Sequence, residues 1–197
     1  MAVEAAYAFW HEVDRVAGAF HDAVHGFQAH LERVNRGLQR TPHARIVLPP
    51  GSSRDDTNDS IAYWTTAADG EQTLRHAVPV PIFRARNRRD GPNTLVMGAV
   101  CVVSIYSFWE HRYRAAIATE VGCGTDQVSV PIMGDIRLLR NAIVHADGVM
   151  GESAKQLEVV DWLALGDSVQ IDESRFTWLM EKVLAFVHSA DTLRETP

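Results

Sequence analysis

The sequence contains few cysteines, few lysines and no long uninterrupted apolar run. Its two cysteines, Cys101 and Cys123, are too few for a disulfide framework and lack the spacing of a metal site. No stretch of about 18 or more residues is purely apolar, so we expect no membrane-spanning helix. The N-terminus has neither a basic flank nor a cleavable apolar core, and we therefore expect no signal peptide and a cytoplasmic protein.

The charge of the chain bears on its partners. A formal net charge of −6 disfavours a simple high-affinity binder of duplex DNA, which would usually be basic. Of the nineteen basic residues only Lys155 and Lys182 are lysines, and the rest are arginines. Two explanations are open: genomic base composition, or a use of arginine for bidentate contacts with phosphate.

The clearest pattern lies at the N-terminus, where apolar residues recur at steps of three and four. Two series are each spaced by seven: Trp10, Ala17, Val24, Leu31 and Leu38, and Val13, Phe20, Phe27 and Val34. Such spacing predicts one long helix over about residues 3–39, with a partner along its length inside the domain or in a dimer. With a hydrophobic fraction of 46%, we predict a single mainly α-helical domain over residues 1–197.

Further helices are predicted in the second half of the chain, over about residues 94–121, 131–148, 153–164 and 173–190. The first of these is apolar nearly all round in its first half, which is typical of a central core helix. A strand-like link at residues 168–171 precedes the last helix, which Asp172 is expected to cap.

Residues 41–93 differ in composition, being rich in proline and in polar turn residues. Extended stretches at 61–65 and 77–83 predict an insertion with a small β-hairpin, and not a separate folded domain. The segment holds the only dense basic cluster of the sequence: Arg84, Arg86, Arg88 and Arg89. This cluster is either an exposed loop or a loop that contacts RNA.

One segment combines polar residues with an otherwise apolar helix. It places Arg140, Asn141 and His145 near the C-terminal end of the helix that follows Pro131. Asn141 and His145 are four residues apart and share a face, whereas Arg140 lies about 140° from His145 around an ideal helix. We therefore expect Arg140 and His145 to meet only if the last turn frays, or if two chains pack this helix face to face.

These residue types suit RNA cleavage without a metal. The reaction needs a base for the 2′-hydroxyl proton, and histidine is the side chain whose ordinary pKa lies nearest neutrality. It also needs a cation for the charge that develops on the phosphoryl oxygens, which arginine supplies. The motif contains no carboxylate cluster of the kind that holds magnesium, so we expect neither a metal nor another cofactor.

The segment from Arg140 to His145 resembles the motif of the HEPN superfamily, whose ribonucleases carry an arginine, four to six residues and a histidine. The same spacing occurs between Arg15 and His21 and between Arg36 and His43, but the helical context favours the later copy. The resemblance covers roughly residues 94–190 together with the first helix. The insertion lies outside the common core of the family.

The resemblance implies an antiparallel helical bundle, a homodimer and a metal-independent endoribonuclease that acts through the 2′-hydroxyl of its RNA substrate. Its catalytic residues would be Arg140, His145 and Asn141, and its partners a cognate antitoxin or another defence protein. The alternative is a catalytically inactive HEPN-like module that binds a nucleotide or a protein. Related toxins often carry a tyrosine two residues after the histidine, but Asp147 stands there, so we do not expect nucleotidylation at that position.

The helix before the motif adds weaker candidates. Glu110 and His111 could face the motif, and Arg112 and Arg114 could contact phosphate, although this segment also fits a solvated helix end.

Arg140 and His145 also admit a structural interpretation. They could instead be ion-paired helix residues, with Asp135, Asp147 or Glu110 as partners. Elsewhere, His21 and His25 have the i, i+4 spacing of some metal sites, but no third ligand is specified and two exposed histidines are the favoured interpretation.

Overall fold

The computed structural model describes residues 3–40 and 60–190, and this part of the chain is mainly helical with one two-stranded antiparallel sheet. The regular elements are α1 (Glu4–Arg40), β1 (Ser60–Thr66), β2 (Gln72–Pro79), α2 (Val80–Arg86), α3 (Pro92–Phe108), a π-helical turn (Trp109–Tyr113), α4 (Arg114–Val121), α5 (Pro131–His145) and α6 (Glu173–Ser189). These elements form two compact units. Of the described residues, one unit holds 3–23 and 95–190, and the other holds 24–40 and 60–94.

The core of the first unit is formed by apolar faces of α1, α3, α5 and α6. The ring of Phe9 lies 5.4 Å from that of Trp109, and the ring of Phe20 lies 4.1 Å from that of Phe176. At Gly98 on α3 a Cβ atom would lie only 2.2 Å from the carbonyl oxygen of Ile171. This glycine therefore allows α3 to approach the chain just before α6 more closely than any other residue would.

The prediction of a long first helix is confirmed, since α1 runs without a break from Glu4 to Arg40. Its N-terminus is held by Glu120 at the end of α4. The carboxylate of Glu120 accepts hydrogen bonds of 2.9 Å from the backbone N–H groups of Glu4 and Ala5. A carboxylate here satisfies free N–H groups and lies at the positive end of the helix dipole.

The predicted helix over 94–121 is confirmed, but it contains a π-helical turn that the sequence pattern did not indicate. Together α3, the π-helical turn and α4 span Pro92–Val121. A stretch of 18 residues in this helix has a mean hydropathy of 1.3, and 33% of that stretch is buried. By length and composition alone this helix could cross a membrane, and core helices of soluble proteins have the same properties. Gly122, with φ of 84°, ends it in a left-handed conformation.

The helices α5 and α6 lie where the sequence predicted them, and Asp172 caps α6 by accepting a 2.8 Å hydrogen bond from the backbone N–H of Arg175. The predicted helix over 153–164 is wrong, because only Glu152–Gln156 forms a short 3-10 turn. Downstream of that turn the chain is held in a loop by hydrogen bonds to Asp135. The predicted link at 168–171 is reduced to a single bridge between Val149 and Ser168.

The second unit contains the hairpin, in which β1 pairs with β2 from Ser60 opposite Pro79 to Thr66 opposite Gln72. A hairpin was predicted and is confirmed, but the second extended stretch was placed too far along the chain. The strand β2 ends at Pro79, and Val80–Arg86 forms α2. Proline cannot donate to a sheet ladder but is tolerated in a first helical turn, where Pro81 lies.

His30 lies against aromatic rings in the second unit. Its ring is 5.1 Å from that of Phe83 and stacks on that of Tyr63 at 6.1 Å. Arg33 on the same helix donates to its Nδ1 at 2.8 Å, and Arg86 of α2 bonds to His76 of β2 at 3.0 Å. Burial lowers the pKa of His30, and the charges of Arg33 and Arg86 lower it further.

This environment predicts that acid destabilises the protein. Because the pKa of His30 is lower in the folded chain than its ordinary value of 6.5, its contribution to stability is complete above pH 6.5 and is lost as the pH falls towards the lowered pKa. Denaturant unfolding at pH 7.5 and pH 5.0 measures the loss. We expect it to be smaller in His30→Gln and unchanged in the control His25→Gln, whose side chain is exposed on the same helix. An identical loss in wild type and His30→Gln would contradict this account.

Candidate active site

The helix α5 positions the motif by burying one face and exposing the other. Ile136 and Leu139 are fully buried, Arg140 is half-buried, and Asn141 and His145 are exposed. The helix ends at His145, and the chain then turns through two residues with positive φ, Asp147 at 51° and Gly148 at 75°. The polar side chains of the motif therefore lie at an accessible helix end.

Arg140 and His145 meet within one chain. Nη1 of Arg140 lies 3.0 Å from Nε2 of His145 and donates a 3.0 Å hydrogen bond to Oδ1 of Asn141. Our expectation that the two would not converge without fraying or a second chain is thus wrong. The long arginine side chain covers the angular gap that separates the two positions on the helix.

This contact suits one tautomer of a neutral histidine. A guanidinium group has only donors, so the contact is a hydrogen bond when Nε2 of His145 is the acceptor and Nδ1 carries the proton. In that tautomer Nε2 is a lone-pair nitrogen beside a positive charge. That is the form of a histidine that can remove a proton.

A cleft of about 280 Å³ adjoins the motif. It lies between α5 and the part of the preceding helix that contains the π-helical turn, and its walls are formed by Val103, Tyr106, Ser107, Glu110, His111, Arg137, Arg140 and Asn141. The structure thus places Glu110 and His111 on the same cleft as Arg140 and Asn141. The π-helical turn buries Trp109 and leaves Glu110 and His111 exposed, and such turns often occur at functional sites.

Glu110 is held by two neighbours. The hydroxyl of Tyr106 donates to its Oε2 at 3.2 Å, and Nη1 of Arg114 lies 3.9 Å from the same oxygen. Burial raises the pKa of Tyr106, and the adjacent Glu110 carboxylate raises it further. Arg114 also donates to the carbonyl oxygen of Val128 at 3.2 Å, so it does not line the cleft beside Arg140.

The structure does not favour the ion-paired interpretation of the motif. Asp135 is 1% exposed, and its carboxylate accepts hydrogen bonds from the backbone N–H groups of residues 158–160. Glu110 is paired with Arg114. Within residues 3–40 and 60–190, no ion pair joins Asp147 to Arg140 or His145.

The predicted RNA-contacting cluster lies in the second unit. Arg84 and Arg86 are on α2, where Arg84 donates to Asn35 at 2.9 Å and Arg86 lies over the rings of Tyr63 and Phe83. The loop interpretation is therefore wrong for these two residues. Arg88 and Arg89 follow α2 and are exposed.

The two histidines of α1 with i, i+4 spacing differ in their surroundings. His21 lies 3.9 Å from Glu173, and His25 is exposed. In the described part of the chain, no group of three or more histidine, cysteine, aspartate or glutamate residues is placed to hold a metal ion.

Sequence reasoning missed Tyr106, Ser107 and Arg137 as cleft residues. A signal was present in their spacing. Tyr106 precedes Glu110 by four residues, and Arg137 precedes Arg140 by three, so each pair shares a helix face.

Comparison of the chain with protein-family models, with characterised proteins and with solved structures finds no match. The functional interpretation therefore depends on the motif and on the geometry around it.

Proposed function

We propose that the protein is a metal-independent endoribonuclease of HEPN type, and that Arg140 and His145 form its catalytic pair. The observation that supports this best is the direct contact of Nη1 of Arg140 with Nε2 of His145 at an exposed helix end. A base and a phosphate-binding cation are thereby brought within one hydrogen bond of each other.

The reaction follows from these two groups. Nε2 of His145 removes the proton of a ribose 2′-hydroxyl, whose oxygen then attacks the adjacent phosphorus. Arg140 transfers its hydrogen bond from the imidazole to the phosphoryl oxygens and stabilises their developing charge. The bond from phosphorus to the 5′-oxygen breaks, and a protonated histidine supplies the proton to that oxygen. The products are a 2′,3′-cyclic phosphate and a 5′-hydroxyl.

The proposal includes a homodimer with the two motifs at a shared face. Exposed apolar side chains continue from the cleft in both helices: Val100 is 52% exposed and three residues before Val103, and Val144 is 47% exposed and three residues after Asn141. Val96, 62% exposed, extends the strip on α3. A second copy would cover this strip and bring a second histidine to act as the acid. A cognate antitoxin or defence partner and a cytoplasmic location belong to the same proposal.

Incubation of the purified chain with single-stranded RNA in excess chelator tests the proposed function. We expect cleavage at an unchanged rate, with 2′,3′-cyclic phosphate ends, because no step uses a metal. RNA with a 2′-deoxyribose at the cut site should not be cleaved, because the 2′-hydroxyl nucleophile is then missing.

Two results would contradict the proposal. One is complete loss of activity in chelator that magnesium restores. The other is RNA binding without any cleavage, which would favour the catalytically inactive binding module.

A further inference from the structure

Arg137 is the guanidinium group of the cleft without a partner. It is exposed, and within the described part of the chain it forms no hydrogen bond or ion pair. Arg140, by contrast, is bonded to Asn141 and His145. The carboxylate in the cleft, Glu110, is already engaged by Tyr106 and Arg114. The positive charge of Arg137 is thus available to an incoming anion.

The position of Arg137 relative to Arg140 suits a polymer of phosphates. The two residues are three apart on α5, so they share a face and their Cβ atoms lie about 5–6 Å apart. Each carries its guanidinium group on a long side chain, so two neighbouring phosphates of one strand could each face an arginine of α5.

Two guanidinium groups line the cleft beside the motif, and a strand passing from the motif would meet Arg140 and then Arg137. A second hollow of about 230 Å³ shares Tyr106, Glu110 and Arg137 with the cleft. Its wall also contains Glu158 and Arg114, and Arg114 is already paired with Glu110. The 280 Å³ of the cleft is small for a complete ligand and suits one segment of a longer chain.

We propose that this cleft is a second phosphate subsite for single-stranded RNA, in which Arg137 binds the phosphodiester next to the one that is cut. The proposal depends on the proposed function only for the identity of the strand. Arg137 is a binding residue that sets where the strand lies, and it takes no part in the proton transfers. Bidentate hydrogen bonds from its guanidinium group to the phosphate oxygens would supply the affinity.

Binding of a 2′-O-methyl RNA oligonucleotide of eight residues, which cannot be cut, tests the subsite by fluorescence anisotropy. We expect Arg137→Ala to raise Kd about tenfold, the loss of one charge-assisted contact. The slope of log K against log salt should fall by about 0.7, the contribution of one phosphate of a single strand. Arg137→Lys should keep most of the slope because it keeps the charge. The matched control is Arg15→Ala, which should bind as wild type does. Arg15 is an exposed arginine of α1 that pairs with Glu12.

Cleavage supplies a second measurement. For a longer RNA, Arg137→Ala should raise KM and leave kcat unchanged. For a dinucleotide, whose single phosphodiester occupies the cut site, the variant should behave as wild type does.

The outcomes separate this inference from the proposed function. If wild type cleaves RNA but Arg137→Ala binds with unchanged Kd and slope, the subsite is refuted and the ribonuclease remains. If wild type cleaves nothing while Arg137→Ala shows the expected loss of binding, the binding of an RNA phosphate by Arg137 remains and the ribonuclease is refuted. Three further outcomes would refute the subsite. Arg15→Ala could lose as much affinity as Arg137→Ala, or wild type could fail to bind the oligonucleotide. A nucleoside monophosphate could also displace the oligonucleotide at equal concentration.

Discussion

Replacement of His145 by alanine is expected to lower the rate of RNA cleavage by at least about 10²-fold and up to about 10⁴-fold, the usual contribution of general acid–base catalysis. Arg140→Ala should also abolish measurable cleavage, because the charge on the phosphoryl oxygens is then uncompensated. Asn141→Ala should have a smaller effect, since Asn141 contacts Arg140 and orients it. The measurement is a single-turnover rate on one RNA.

The fold should survive these changes, because His145 is exposed and Arg140 is half-buried. Circular dichroism of each variant provides the check. His188→Ala, which removes an exposed histidine near the end of α6, is the matched control and should cleave as wild type does. Wild-type activity in both His145→Ala and Arg140→Ala would require another catalytic centre.

The largest loss of stability is expected for Asp135→Ala. The buried carboxylate of Asp135 accepts hydrogen bonds of 2.7–3.2 Å from the backbone N–H groups of Glu158, Val159 and Val160. Removing it leaves these groups unsatisfied in a partly buried place, at a cost of roughly 1–3 kcal/mol for each group that water does not reach. We therefore expect a total loss of about 2–4 kcal/mol in the free energy of unfolding.

Denaturant titration of Asp135→Ala and of the control Asp161→Ala measures this loss. Asp161 is exposed in the same loop region, so its replacement should leave the unfolding midpoint close to that of wild type. A stable Asp135→Ala variant would mean that the loop at 158–160 finds other partners.

The sequence predicted the helices well where local pattern decides them. The spacing of Val13, Phe20 and the other apolar residues predicted α1, and the N-cap at Asp172 predicted the start of α6. The predicted helix over 153–164 failed because its amides bind Asp135, some 23 residues away. The local sequence pattern does not reveal a hydrogen-bond partner so far away in the chain, and such tertiary contacts can override the helix propensity of a segment.

From the sequence we identified Arg140, Asn141 and His145 by their motif, and Glu110 by its place on the preceding helix. The contacts that Arg140 makes with Asn141 and His145 were not predicted. The angle of about 140° around the helix describes the positions of Cα atoms only, and the arginine side chain is long enough to reach His145 across that angle. Arg137 and Tyr106 were missed because no motif includes them, although their spacing from Arg140 and Glu110 was visible.

The π-helical turn at Trp109–Tyr113 has a consequence for insertions and deletions. Such a turn holds one residue more than an α-helical turn, and each α-helical residue advances the chain by about 100° around the axis. Loss of one residue here would restore a regular helix and leave α4 in nearly the same orientation relative to α3, because the wider turn accommodates that residue. Loss of one residue from α3 or α4 would instead rotate one against the other by that angle. Ile117, which is fully buried, would then leave the core if Tyr106 kept its place on the cleft. The helix can therefore become shorter by one residue at the π-helical turn without losing either the packing of α4 or the wall that faces Arg140, but not elsewhere.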